Sequence, residues 1–255
     1  TGGASVPTSA DNVYFDANSF TTTGQTVTVD KTSNCLDMDW TGALYNPTFA
    51  GGLVNIYGSA KLIENMTVTR TGVTYFKSIA TGKTITSAGK SFSDVIYFDG
   101  AGGGWTLQDS FNAPTTLYLR KGTLNTNGYA VTCGAFNSSY TNARGLTLGS
   151  SVLTVAGSFD ISTTTSMTLT AGTSTIKLTG NSTTFAGGGL TYNNVEFTGT
   201  STTITGSNTF NDLKISAGKT VNFTAGTTQT VESLSGIGEI GNPITIQSTT
   251  DGTPF

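Results

Sequence analysis

The chain has 255 residues, a formal net charge of −3, 11% charged residues, no histidine and two cysteines. The missing histidine excludes Ser-His-Asp and Cys-His nucleophilic sites and His-containing zinc centres. Two cysteines are too few for a disulfide framework, no run of Lys or Arg supplies the positive face that nucleic acid needs, and no apolar run approaches membrane-spanning length.

There are 52 Thr, 33 Gly, 25 Ser and 18 Asn, together half of the sequence. Thr fits a pleated surface through its branched β-carbon, whereas Gly, Asn and Ser favour turns. The 14 Phe, 9 Tyr and 2 Trp rule out the composition of a disordered chain. Many short strands joined by tight turns are therefore predicted.

In chain order, Ala10-Asp11-Asn12-Val13-Tyr14-Phe15 opens a recurring phrase: an aromatic or small residue, two small polar residues, an aliphatic residue, any residue, then an apolar one. Gly24-Gln25-Thr26-Val27-Thr28-Val29 opens a second phrase, a Gly turn followed by a strand of period-two alternation. Cys35-Leu36-Asp37-Met38-Asp39-Trp40 follows. Residues 1–60 are irregular and rich in aromatics such as Tyr14, Phe15, Phe20, Trp40 and Phe49, and read as a cap with the first coils; residues 61–255 read as the body.

The Gly phrase returns at Gly82–Thr86, Gly128–Cys133 and Gly218–Phe223. The first phrase returns as Phe92-Ser93-Asp94-Val95-Ile96-Tyr97, Tyr192-Asn193-Asn194-Val195-Glu196-Phe197 and Phe210-Asn211-Asp212-Leu213-Lys214-Ile215. The last two copies are one solenoid coil apart. Apolar pairs two residues apart run from Leu146/Leu148 through Phe159/Ile161 and Ile176/Leu178 to Ile244/Ile246. Cys133 follows Val131 by two and shares its inward face.

Such short strands bury little alone, so neighbours must stack to build a core. The predicted fold is all-β, a single-stranded parallel β-solenoid (β-helix) with an irregular aromatic-rich N-terminal cap. β-Sandwich domains are the alternative, but a sandwich has no reason to repeat one Asn/Asp–aliphatic–x–apolar step. The chain begins Thr1-Gly2-Gly3 without an initiator Met and ends as a further strand would start, so the solenoid is expected to continue beyond Phe255.

The opening Val6–Phe15, the Cys35–Trp40 step, Gly104-Trp105-Thr106-Leu107-Gln108-Asp109 and Gly122-Thr123-Leu124-Asn125-Thr126-Asn127-Gly128 resemble repetitive β-helical proteins of phages, prophages and environmental bacteria. The resemblance covers nearly the whole chain and its motifs are structural steps. It implies a tail-fibre-like or adhesin-like protein, on a virion or cell surface and so extracellular, and carries no catalytic residue.

Asp37 and Asp39, two apart on a strand, are the candidate site. Paired carboxylates beside aromatics suit cation binding or glycan hydrolysis, but the alternation favours a solvent-facing strand with Leu36, Met38 and Trp40 inward. Asp94, Asp99 and Asp109 form a looser set. The Gly102–Gly104 and Gly187–Gly189 runs lack the Lys-Ser/Thr of a phosphate loop and read as bends. Thr-x-Thr pairs, as at Thr26/Thr28 and Thr67/Thr69, recur at irregular gaps and read as ordinary strand surface, not an ice-binding ladder.

The expected function is a non-enzymatic structural or adhesive module, a rigid stalk, fibre or decoration, with no cofactor. Expected partners are other virion or surface subunits, a host-surface glycan or protein, and further copies of the chain in a homo-oligomer, with no nucleic acid and no membrane insertion. The alternative is a carbohydrate-binding or carbohydrate-cleaving tailspike-like β-helix.

Overall fold

The computed structural model describes residues 5–236 and 238–255, and no helix occurs among them. The chain divides into two compact units, the first ending at Asn125 and the second beginning at Thr126. In each, strands pair in parallel with strands one coil away, as a β-solenoid requires and a sandwich does not.

The first unit has three faces. Thr26–Val29, Thr48–Gly51 and Thr67–Arg70 form a three-stranded sheet. Ser33–Cys35, Val54–Ile56 and Thr74–Phe76 begin the second face, which continues in the strands Val95–Leu107 and Phe111–Asn125. Val13–Tyr14, Met38–Asp39, Ala60–Lys61 and Lys83–Thr86 begin the third. On the second face Cys35, Ile56, Phe76, Phe98 and Leu119 stack in register and are buried. The Asn55 amide donates to Asn34 Oδ1 at 2.9 Å, 21 residues away, which gives the coil length there.

The second unit repeats the plan, with coils that vary in length. Phe136, Phe159, Phe185, Ile204 and Phe223 form one buried ladder. Phe136, Phe159 and Phe185 stack at successive centroid distances of 5.1 Å. A second ladder runs through Val131, Leu153, Ile176, Val195 and Leu213. Between coils, the buried hydroxyls of Thr183 and Thr202, 19 residues apart, meet at 2.9 Å. Each fully buried Phe or aliphatic side chain contributes about 1.5–3 kcal/mol.

The repeated phrases map onto this frame with one correction. The Tyr192 and Phe210 copies stack residue on residue: Tyr192 over Phe210, Val195 over Leu213, Phe197 over Ile215. The Phe92 copy is out of phase. Ile96 and Phe98 point inward and Tyr97 outward, opposite to the pattern read from Val95 and Tyr97. The cause lies in the corner, where buried Phe92 and Ser93 precede the strand and shift the alternation by one. The Gly phrases open strands as expected, and Gly82 and Gly128 have φ of 77° and 79°, where a side chain is strained. The Thr pairs are more ordered than their spacing suggests: Thr26, Thr48 and Thr67 lie in one row on the outer face of a single sheet, with Thr28, Ala50 and Thr69 in the next.

Two buried arginines close corners without a carboxylate partner among the described residues. Arg70 donates to Thr74 Oγ1 at 2.7 Å and to the carbonyls of Phe92 (2.8 Å) and Gly52, where the three-stranded sheet ends. Burial pushes its guanidinium down to about 10, still cationic at neutral pH. Arg144 likewise binds the carbonyls of Ser138, Asn142, Thr165 and Thr163.

Phe159→Ala, at the centre of the Phe136–Phe159–Phe185 stack, is expected to cost about 3–5 kcal/mol, read as a lower urea midpoint. Gly199→Ala is expected to destabilise through backbone alone, because its Cβ would strike the Gly180 carbonyl; a melt of a variant with no altered side-chain contacts checks it.

Candidate functional site

Asp37 lies in the corner between Ser33–Cys35 and Met38–Asp39. Its Oδ1 accepts the Ser59 N–H at 2.7 Å, tying its coil to the next. Asp39 Oδ1 accepts the Thr41 N–H at 2.7 Å, within its own turn. The two carboxylates are therefore engaged separately. Met38 and Trp40 are buried as the alternation predicts, while Leu36 is half-buried because the chain is turning. Trp40 stacks on Phe15 at 3.8 Å and meets Phe49 at 5.2 Å, so these aromatics fill the core instead of flanking the acids.

The looser acidic set is dispersed. Asp109 accepts the Ser87 and Ala88 N–H groups at 2.8 and 2.5 Å. Asp99 pairs with Lys121 at 3.3 Å and Arg120 at 3.7 Å, while Asp94 is exposed. No cluster of three or more His, Cys, Asp or Glu able to hold a metal occurs among the described residues. The Gly102–Gly104 run lies within the strand Val95–Leu107, where its register with Phe111–Asn125 shifts, and the Gly187–Gly189 run in a turn; a Cβ at Gly103 would strike the Ser78 carbonyl, and one at Gly187 the Asn208 side chain.

The most distinctive surface lies elsewhere in the first unit. Tyr75, Tyr97 and Tyr118 occupy one outward row in register. Tyr75 stacks on Tyr97 at 4.7 Å and 12°, and Tyr97 on Tyr118 at 4.3 Å and 4°. Both centroid spacings lie close to, and slightly below, the ~4.8 Å between paired strands, so the rings follow the backbone ladder. Lys77 Nζ lies 5.1 Å from the Tyr75 centroid and the Arg120 guanidinium 5.6 Å from that of Tyr97. With Lys121 these cations outnumber the single carboxylate of Asp99 in a chain that is acidic overall. The sequence does carry the signal, as Thr74-Tyr75-Phe76-Lys77, Ile96-Tyr97-Phe98-Asp99 and Leu117-Tyr118-Leu119-Arg120. It was hidden because Tyr97 occupies the phrase position that buried Phe197 occupies in the later copy.

The second unit presents Lys177, Glu196 and Lys214 in one outward row, with ion pairs of 3.5 and 3.2 Å. A shallow cleft of about 420 Å³ runs beside Thr191, Thr209 and Thr230, with Asn193, Asn211 and Glu232 on its wall. At the last coil, Leu234 and Ile246 continue the inward rows but are 57% and 41% exposed, and border a cleft of about 600 Å³.

Cys35 and Cys133 are free, buried thiols. Burial pushes both up to about 12, with the charge of Asp37 adding to the shift at Cys35. Both are expected to resist a thiol reagent at pH 8 in the folded protein and to react fully in denaturant. An unfolded thiol titrates near 9.0 and the folded one near 12, so between these values the unfolded state sheds a proton the native state keeps. Stability should therefore fall as pH rises through that window, and denaturant titrations at a series of pH values read the loss.

Comparison with protein-family models, curated proteins and solved structures finds no match to the chain.

Proposed function

We propose that this chain is a non-enzymatic structural or adhesive module of an exterior surface, a virion or a cell, serving as a rigid stalk, fibre or decoration. One observation carries the reading: outward side chains are joined coil to coil. Tyr75–Tyr97–Tyr118 and Lys177–Glu196–Lys214 each link neighbouring coils along a row. Such rows stiffen a stack, since bending it would open them. The separate engagement of Asp37 and Asp39 agrees with this reading, because glycoside cleavage needs two carboxyl groups flanking one bond.

The carbohydrate-binding alternative draws support from the aromatic and cationic surface of the first unit; its cleaving form does not. Limited proteolysis tests the structural role. The folded chain is expected to remain intact under conditions that digest it fully after denaturation. A reducing-end assay on acidic and neutral polysaccharides tests the absence of turnover. Release of new ends by the wild-type chain, lost in Asp37→Asn or Asp39→Asn, would overturn the non-enzymatic reading.

A further inference from the structure

We infer that the Tyr75–Tyr97–Tyr118 row and its flanking cations form a binding surface for an acidic polysaccharide, a uronate polymer lying across successive coils. This rests on the adhesive form of the proposed function and names its ligand class.

The geometry limits what the row can bind. Tyr97 is stacked on both sides, so its faces are spent on Tyr75 and Tyr118. Bases of a single-stranded nucleic acid need open aromatic faces, as does a ligand that covers an aromatic platform. What the row offers outward is ring edges and phenolic oxygens. Among the described residues no hydrogen bond engages the Tyr75 or Tyr118 hydroxyl. Each therefore remains able both to donate and to accept, which suits a ligand dense in hydroxyl groups.

Charge selects the acidic class. Lys77 has no ion pair among the described residues, and Arg120 and Lys121 share one carboxylate while remaining 36% exposed. The cluster thus carries surplus positive charge beside the phenols. Carboxylates repeated along a chain match cations carried on different coils: Lys77 belongs to the coil of Tyr75, Arg120 and Lys121 to that of Tyr118. A sugar polymer supplies both carboxylates and hydroxyls at each residue, whereas an acidic peptide supplies carboxylates but few hydroxyls.

Affinity electrophoresis or biolayer interferometry with polygalacturonate at low salt tests the surface, with its fully methyl-esterified form and poly-glutamate as comparators. The wild-type chain is expected to bind polygalacturonate, to weaken as salt rises, and to bind both comparators more weakly by about tenfold or more. Lys77→Gln/Lys121→Gln should lose about tenfold or more in affinity. Tyr118→Phe keeps the ring stack and removes one hydroxyl, so it should weaken binding with an unchanged melting temperature. Circular dichroism melts confirm that each variant is folded. No binding by the wild-type chain, full binding by the folded double-Gln variant, or equal binding of poly-glutamate would overturn the inference. None of these outcomes bears on protease resistance or the absence of turnover, so the structural reading stands or falls separately.

Discussion

Parallel pairing sets each residue directly over its counterpart one coil away, and this register governs what every position tolerates. Like meets like along the stack. For aliphatic and aromatic residues that is favourable, and it builds the Phe136–Phe159–Phe185 column inside and the Tyr75–Tyr97–Tyr118 column outside. For charges it is unfavourable unless signs alternate. Lys177, Glu196 and Lys214 alternate, and the middle glutamate pairs with both lysines.

Corners are the second constraint. A coil must turn where the next coil turns, so backbones pack against backbones and side chains have little room. At Gly199 a single added carbon would meet the Gly180 carbonyl. Where the ladder breaks, carbonyls lose their partners, and burying them unpaired is costly. Arg70 and Arg144 meet that demand: each fans its donors over several carbonyls from different coils. A buried cation is expensive in isolation, but here hydrogen bonds to backbone dipoles replace much of its hydration.

These constraints bear on function. A surface built from rows offers repetition along the stack more readily than convergence on a point. Asp37 and Asp39 are each held by a backbone N–H in a different place.

The sequence by itself determined the class of fold, because period-two pairs such as Ile176/Leu178 and Val195/Phe197 and the Gly turns at Gly82 and Gly128 follow from local stereochemistry. It also gave one coil length directly, where Tyr192–Phe197 stacks on Phe210–Ile215. It did not give the phase at Tyr97. A one-residue shift at the Phe92 corner reverses inside and outside, and only packing across coils reveals it. Nor did it align Thr26, Thr48 and Thr67, whose spacing in the chain is uneven because the intervening turns differ in length. Local alternation is written in neighbouring residues, but which rows share a face depends on how many residues each corner consumes, and the tertiary structure alone decides that.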